Sequence, residues 1–186
     1  MELSPRLSVL ARWAAPGCRF ADIGTDHGYL PVWLITNGVI DRAIATDLRS
    51  GPLERAAQTA RRYGVADRVQ LRLCDGLEGL EPGEADTIAI AGMGGETIAG
   101  ILDRAPWTRR EDVTLLLQPM STQPELRRRL LEGGYRVEEE RLACQGGTLY
   151  VAMKVRPGRD RPMTAAELWA GRQSRDPCGA GGWSSA

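Results

Sequence analysis

Apolar residues recur along this chain in two alternating registers. Leu7, Leu10, Ala11 and Ala14 stand at helical spacing behind Ser4-Pro5, an N-cap and first helical position, until Pro16-Gly17 stops the run. Residues 18–23 form a short apolar segment that delivers into Gly24, and 29–36 read as a largely apolar helix ending at Asn37-Gly38. The unit of strand, turn and helix then repeats: strand 42–46 with helix 52–63, strand 69–73, and strand 86–91 with helix 96–102. Strand 113–117 follows, with an arginine-rich helix opened by Pro124 and closed by Gly133-Gly134. Such alternation predicts an α/β fold with a mostly parallel sheet and helices on both faces. The ending differs: 136–143 and 149–155 are β-competent runs joined by Gln145-Gly146-Gly147-Thr148, a hairpin that puts an antiparallel edge on the sheet.

The chain of 186 residues, 42% hydrophobic, is long enough for one ordinary domain and a short appendage. The predicted core unit spans 1–155. The remainder, 156–186, is a polar tail whose Gly/Ser-rich end, 179–186, is expected to be disordered. No stretch approaches the roughly 18 apolar residues of a membrane span, and the first 13 residues lack the apolar core of a secretory signal, so a cytoplasmic protein is expected. Cys18, Cys74, Cys144 and Cys178 form no C-x-x-C pair and His27 is the only histidine, which argues against a disulfide framework and against a bound metal. The 24 basic residues balance 24 acidic ones, and Lys154 is the only lysine. Charge therefore does not announce a nucleic-acid partner, and Arg127-Arg128-Arg129, fanning around a helix, reads as a solvated face.

In open parallel sheets ligands sit beyond the carboxyl ends of the strands, and here those ends are polar. The first carries Asp22-Ile23-Gly24-Thr25-Asp26-His27-Gly28-Tyr29-Leu30, a Gly-x-Asp-x-Gly where a dinucleotide site has Gly-x-Gly-x-x-Gly. Asp26 brings bulk and negative charge to the place of a pyrophosphate. At about 4 Å and an effective dielectric near 20 the repulsion is about 4 kcal/mol, which a metal or an arginine would have to offset. S-adenosylmethionine has no phosphate and carries an ammonium and a sulfonium, so it suits an acidic loop better. Asp47-Leu48 closes the second strand about twenty residues on, where a carboxylate can accept from ribose hydroxyls. Asp75-Gly76 closes the third and can accept from an adenine amino group. Each aspartate alone is as well explained as a turn former or helix cap; in order, they trace one nucleoside. His27 either caps, packs or lines the site.

The fourth strand ends in Ala91-Gly92-Met93-Gly94-Gly95, where a transferase of this architecture meets its acceptor. No Asn-Pro-Pro-aromatic tetrapeptide, of the kind that holds an exocyclic amine, occurs. A ring nitrogen has an in-plane lone pair and needs only to be positioned, a mode of catalysis worth up to roughly 7–11 kcal/mol. The glycines admit a flat ligand and Met93 offers a soft apolar wall.

Together Arg6-Leu7, the 22–31 segment ending in Pro31, Gly51-Pro52-Leu53, Asp75-Gly76-Leu77 and Ala91-Gly92-Met93-Gly94-Gly95 resemble the bacterial tRNA (adenine-N1)-methyltransferase family that modifies adenine 22. The resemblance runs from about residue 3 to 155. It implies a Rossmann-like class I fold whose seventh strand is antiparallel, S-adenosyl-L-methionine as cofactor, and methyl transfer to N1 of a purine in tRNA. It places the active-site aspartate on Asp26. Cofactor contacts fall on Asp22, Gly24, Asp26, His27, Gly28, Tyr29, Leu30, Asp47, Leu48, Asp75, Gly76, Ala91, Gly92, Met93 and Gly94. Two departures stand out. Gln118-Pro119-Met120 replaces the family's Gln-Pro-Asn, and 163–168 resembles only the beginning of the family's C-terminal helical domain, implying a shortened remnant. The rival readings are a methyltransferase of this fold acting on another RNA or a small molecule, a non-catalytic nucleoside- or RNA-binding module, and, disfavoured by Asp26, a nicotinamide-dependent oxidoreductase.

Overall fold

The computed structural model describes residues 1–172; Cys178 and the segment 179–186, read above as disordered, lie outside the described residues. Seven strands form one sheet in the order β3-β2-β1-β4-β5-β7-β6. Five of them, β1 (Phe20–Ile23), β2 (Ala43–Asp47), β3 (Val69–Leu73), β4 (Thr87–Gly94) and β5 (Thr114–Ser121), are parallel. The hairpin β6 (Tyr135–Gln145) and β7 (Thr148–Pro157) adds the antiparallel edge, with β7 between β5 and β6. Its turn, Gly146-Gly147, has φ of 58° and 78°, the pair of left-handed residues that a two-residue hairpin loop requires.

Because both faces of a parallel sheet are covered, its central strands are apolar at consecutive positions, 88–90 in β4 and 115–117 in β5, and alternate residues sort to opposite cores. Ile88 and Ile90 of β4 and Leu115 and Leu117 of β5 pack with Ile98, Ile101 and Leu126 from α4 (Gly95–Arg104) and α5 (Gln123–Glu132). Ala89 and Leu116 join the other face with Leu10, Leu30, Leu34 and Ala60 from α1 (Pro5–Trp13), α2 (Tyr29–Thr36) and α3 (Ser50–Arg62). Strand order reverses between β1 and β4, and that switch point opens a crevice at the carboxyl ends of the sheet.

Three local expectations are corrected. Ser4 precedes α1 but its side chain makes no capping bond; its Oγ is buried without a partner among the described residues. Strands β4 and β5 run three to four residues beyond the predicted ends. Gly92-Met93-Gly94 continues β4 through two register shifts opposite Pro119 and Ser121, a bulged strand that runs past the predicted end at Ala91. Arg127, read as solvated, is 1% exposed. Its Nε donates to Glu140 Oε1 at 2.7 Å and its Nη1 to the Leu168 carbonyl at 2.6 Å. Leu168 belongs to α6 (Ala165–Ala170), which a Thr164/Glu167 capping box opens, so part of the polar tail is packed onto α5. Arg128 and Arg129 do face solvent, on Glu125 and Asp103.

Candidate active site

A cleft of about 780 Å³ opens beyond the ends of β1, β2, β3 and β4. It is lined by Asp22, Gly24, Asp26, His27, Tyr29, Leu30, Asp47, Leu48, Asp75, Gly76, Ala91, Gly92 and Met93, thirteen of the fifteen residues singled out in the sequence. Gly28 and Gly94 are not in its lining. A Cβ at Gly28 would sit 3.0 Å from Ala56 Cβ, so this glycine lets the start of α2 approach α3. Gly94 is the N-cap of α4, and a Cβ there would lie 3.2 Å from Ser121 Oγ. Both glycines answer a packing demand, and the sequence does not disclose what does the approaching.

The β1–α2 loop is held by its backbone. The amides of Gly24 and Thr25 both donate to the Thr46 carbonyl at 2.8 and 2.9 Å, and Gly28 N donates to Thr25 O at 3.0 Å. Gly24, Asp26 and Gly28 have φ of 71°, 48° and 66°. A Cβ on Gly24 would fall 2.1 Å from Met93 Cε, so the absent side chain gives Met93 its place in the cleft. Asp22 is 5% exposed and accepts from Thr25 Oγ1 at 2.6 Å. Burial pushes its carboxyl up to about 6; the Thr25 hydrogen bond opposes that shift and the nearby Asp47 charge adds to it.

Asp26 forms an ion pair with Arg55 of α3, whose Nε donates to Oδ1 at 3.2 Å. Its other oxygen lies 3.6 Å from His27 Nε2, and the His27 ring stacks on Tyr29 with centroids 5.1 Å apart and planes within 4°. Arg55 offsets the charge that Asp26 was expected to present to a diphosphate, so repulsion alone no longer decides between cofactors. Asp47 Oδ1 accepts from Arg49 N at 3.0 Å, leaving its second oxygen for a ligand, while Asp75 pairs with Arg104 at 3.2 Å. Among cleft residues that the candidates omitted, Arg6 reaches from α1 to the fully buried Gln118, donating from Nη1 to Oε1 at 2.8 Å. That guanidinium lies beside Gly92 and has no carboxylate partner among the described residues. Arg6 stood in the resembling motif; nothing in the sequence ties Arg55 to Asp26, 29 positions away.

The residues fit an adenosyl sulfonium amino acid. The cleft lies in the size range of small-molecule sites, its carboxylates stand where hydroxyls and amines need acceptors, and Arg6 supplies an unpaired cation for a carboxylate. Among the described residues no group of three or more His, Cys, Asp and Glu could hold a metal ion, and no helix is long and apolar enough to cross a membrane.

Fold and cleft together define a class I methyltransferase. A methyltransferase-domain family model matches residues 3–153. The tRNA (adenine(22)-N(1))-methyltransferase of Bacillus subtilis (strain 168) is 34% identical over 172 residues, 92% of this chain and 72% of that protein. Streptococcus pneumoniae Sp1610 in complex with S-adenosyl-L-methionine superposes with a TM-score of 0.86 at 31% identity, covering 92% of this chain and 80% of that one. M. capricolum TrmK with S-adenosyl-homocysteine gives 0.80 at 25% identity, over 91% and 75%. The chain belongs to the tRNA (adenine(22)-N(1))-methyltransferase family.

Proposed function

We propose that this chain transfers the methyl group of S-adenosylmethionine to N1 of adenine 22 in tRNA, in the cytoplasm. The observation that carries the reading is the convergence of Asp26, Asp47, Asp75 and Met93 on one cleft, in a chain 34% identical over 172 residues to an enzyme of that name. S-adenosylmethionine, when bound, supplies a methyl group on an electron-poor sulfur. Asp47 and Asp75 take the ribose hydroxyls and the adenine amine, Arg6 takes the carboxylate, and Met93 walls the path between cofactor and acceptor. Asp22 and the amide-held loop of Gly24 fix the floor of the site, and Leu30 and Ala91 exclude water.

No general base is needed, because N1 has a free in-plane lone pair. The target adenine would become cationic as its N1–C bond forms and the S–C bond breaks with its electron pair left on the sulfur as a neutral thioether, and Asp26 at the cleft mouth would stabilise charge that the base lacks in the ground state. His27 and Tyr29, stacked beside it, offer a platform for a base drawn out of the RNA stack. The same reading assigns 1–155 to the methyltransferase unit and the following stretch, with α6, to the start of an appended segment.

The test is transfer of radiolabelled methyl to separated RNA fractions, with thermal shifts by S-adenosylhomocysteine and NAD run in parallel. Label in the tRNA fraction and stabilisation by S-adenosylhomocysteine alone are expected; at a hundred times Kd it amounts to about 2.7 kcal/mol. Label in ribosomal RNA only, or stabilisation by NAD, contradicts the reading.

A further inference from the structure

The geometry points to Arg55 as an RNA-responsive latch on Asp26: in the free protein its guanidinium holds the carboxylate, and on docking it passes to a phosphate of the substrate RNA, leaving the carboxylate to face the target base. This deepens the proposed function and rests on it for the identity of the RNA.

Four observations carry it. Asp26 does not depend on Arg55 for its place, because the loop around its left-handed backbone is tied by its neighbours, the Gly24 and Thr25 amides to the Thr46 carbonyl and the Gly28 amide to the Thr25 carbonyl. Both guanidinium contacts fall on Oδ1, the oxygen turned away from His27, so the pair ties up the carboxylate without shaping the loop. The two side chains are 43% and 58% exposed, and an ion pair so open to water is weak, screened by salt and readily exchanged for another anion. Finally, the Arg55 side chain has no other acceptor among the described residues. The neighbouring Arg49, at the start of α3 and on the same lip of the cleft, is exposed, and its guanidinium has no partner among the described residues.

An arginine that neither builds the loop nor adds much stability, yet occupies the carboxylate at the cleft mouth, is suited to exchange. A polynucleotide delivering a base to this cleft brings phosphates to the same lip, and guanidinium binds phosphate and carboxylate with the same forked geometry. Gly28 makes the arrangement possible: its missing side chain brings α3 against the loop at Ala56, next to Arg55.

The test is a charge cycle read by equilibrium binding of a tRNA transcript between 50 and 200 mM salt. It compares the wild type, Arg55→Met, Asp26→Asn and the double variant, each first shown to keep the wild-type circular dichroism spectrum and a cooperative melting transition. Arg55→Met is expected to weaken binding about fivefold at the lower salt and to flatten the log–log salt slope by about one, the signature of one lost phosphate contact. Asp26→Asn is expected to tighten binding severalfold by freeing Arg55. The double variant should match Arg55→Met, because in ground-state binding, before the base carries charge, the carboxylate acts only through the arginine it holds. An unchanged salt slope in Arg55→Met overturns the latch. So does equal tightening by Asp26→Asn with and without Arg55, which would reduce Asp26 to a general repulsive charge. If the cycle closes as expected while adenine 22 acquires no methyl group, the latch stands and the substrate assignment falls.

Discussion

Asp22 is a carboxylate enclosed beneath the cofactor cleft, with one hydroxyl donor from Thr25 and the like charge of Asp47 nearby. Its folded pKa of about 6 lies above the ordinary 3.8. Between those values the native state holds a proton that the unfolded chain has released, so stability from this group rises as pH falls through the window. Above pH 6 the full penalty applies, on the order of 3 kcal/mol. Asp22→Asn is therefore expected to raise the melting temperature by several degrees at pH 7.5, with the gain fading towards pH 4; a pH-independent difference would contradict this. Asp26→Ala is expected to abolish methyl transfer without loss of the fold, and near wild-type turnover would remove its role. Asp47→Ala should weaken S-adenosylhomocysteine binding about tenfold by calorimetry, the loss of one good hydrogen bond to a charged group. At this scale the acidic strand ends were legible only as a set: each aspartate alone is as well explained as a cap or turn former, but three in order after adjacent strands trace one nucleoside. Arg55 was not, because its partner is set by the α2–α3 approach and not by spacing.

Elements were legible where one period dominates. The alternation of short apolar runs with helices predicted every strand of the parallel sheet, and the two glycines between the last two runs predicted their hairpin. Strand ends were less so: glycine and proline normally stop a strand, but in β4 and β5 they sit in bulged pairing that carries the strands past Ala91 and Leu117. Arg127 illustrates the other limit. Leu126 and Leu130 mark the inner face of α5, and one of three consecutive arginines must lie at the border of that face. Which one turns inward depends on Glu140, a residue of β6 that helical periodicity does not see. Removing one member of a fully buried pair leaves the other charge uncompensated. Arg127→Met is accordingly expected to cost about 3–5 kcal/mol in urea denaturation, and Arg127→Met with Glu140→Leu to recover most of it. Both variants should keep their affinity for S-adenosylhomocysteine, since α5 contributes nothing to the cleft.

For the whole molecule, strand order fixes where chemistry can occur. The reversal between β1 and β4 gathers loops from four strand ends into one cleft, while Arg109 and Arg110, outside it, serve the fold: Arg109 donates to the Gly133 carbonyl and lies over Tyr135, and Arg110 pairs with Asp112. With 24 positive and 24 negative residues, and several arginines in intramolecular ion pairs, net charge supplies no long-range attraction for RNA, and the latch proposed above places its one phosphate contact at the cleft lip. Pattern alone reached the parallel sheet and the site at its carboxyl end. The acceptor atom came from the resemblance, because many methyltransferases share this sheet and differ in what the fourth strand end presents. The most direct measurement is single-turnover methylation of unmodified tRNA transcripts carrying adenine or guanine at position 22, with the modified base mapped. One methyl group is expected on N1 of adenine 22 and none in the guanine transcript; equal methylation of both transcripts, or none of either at saturating enzyme, would overturn the assignment.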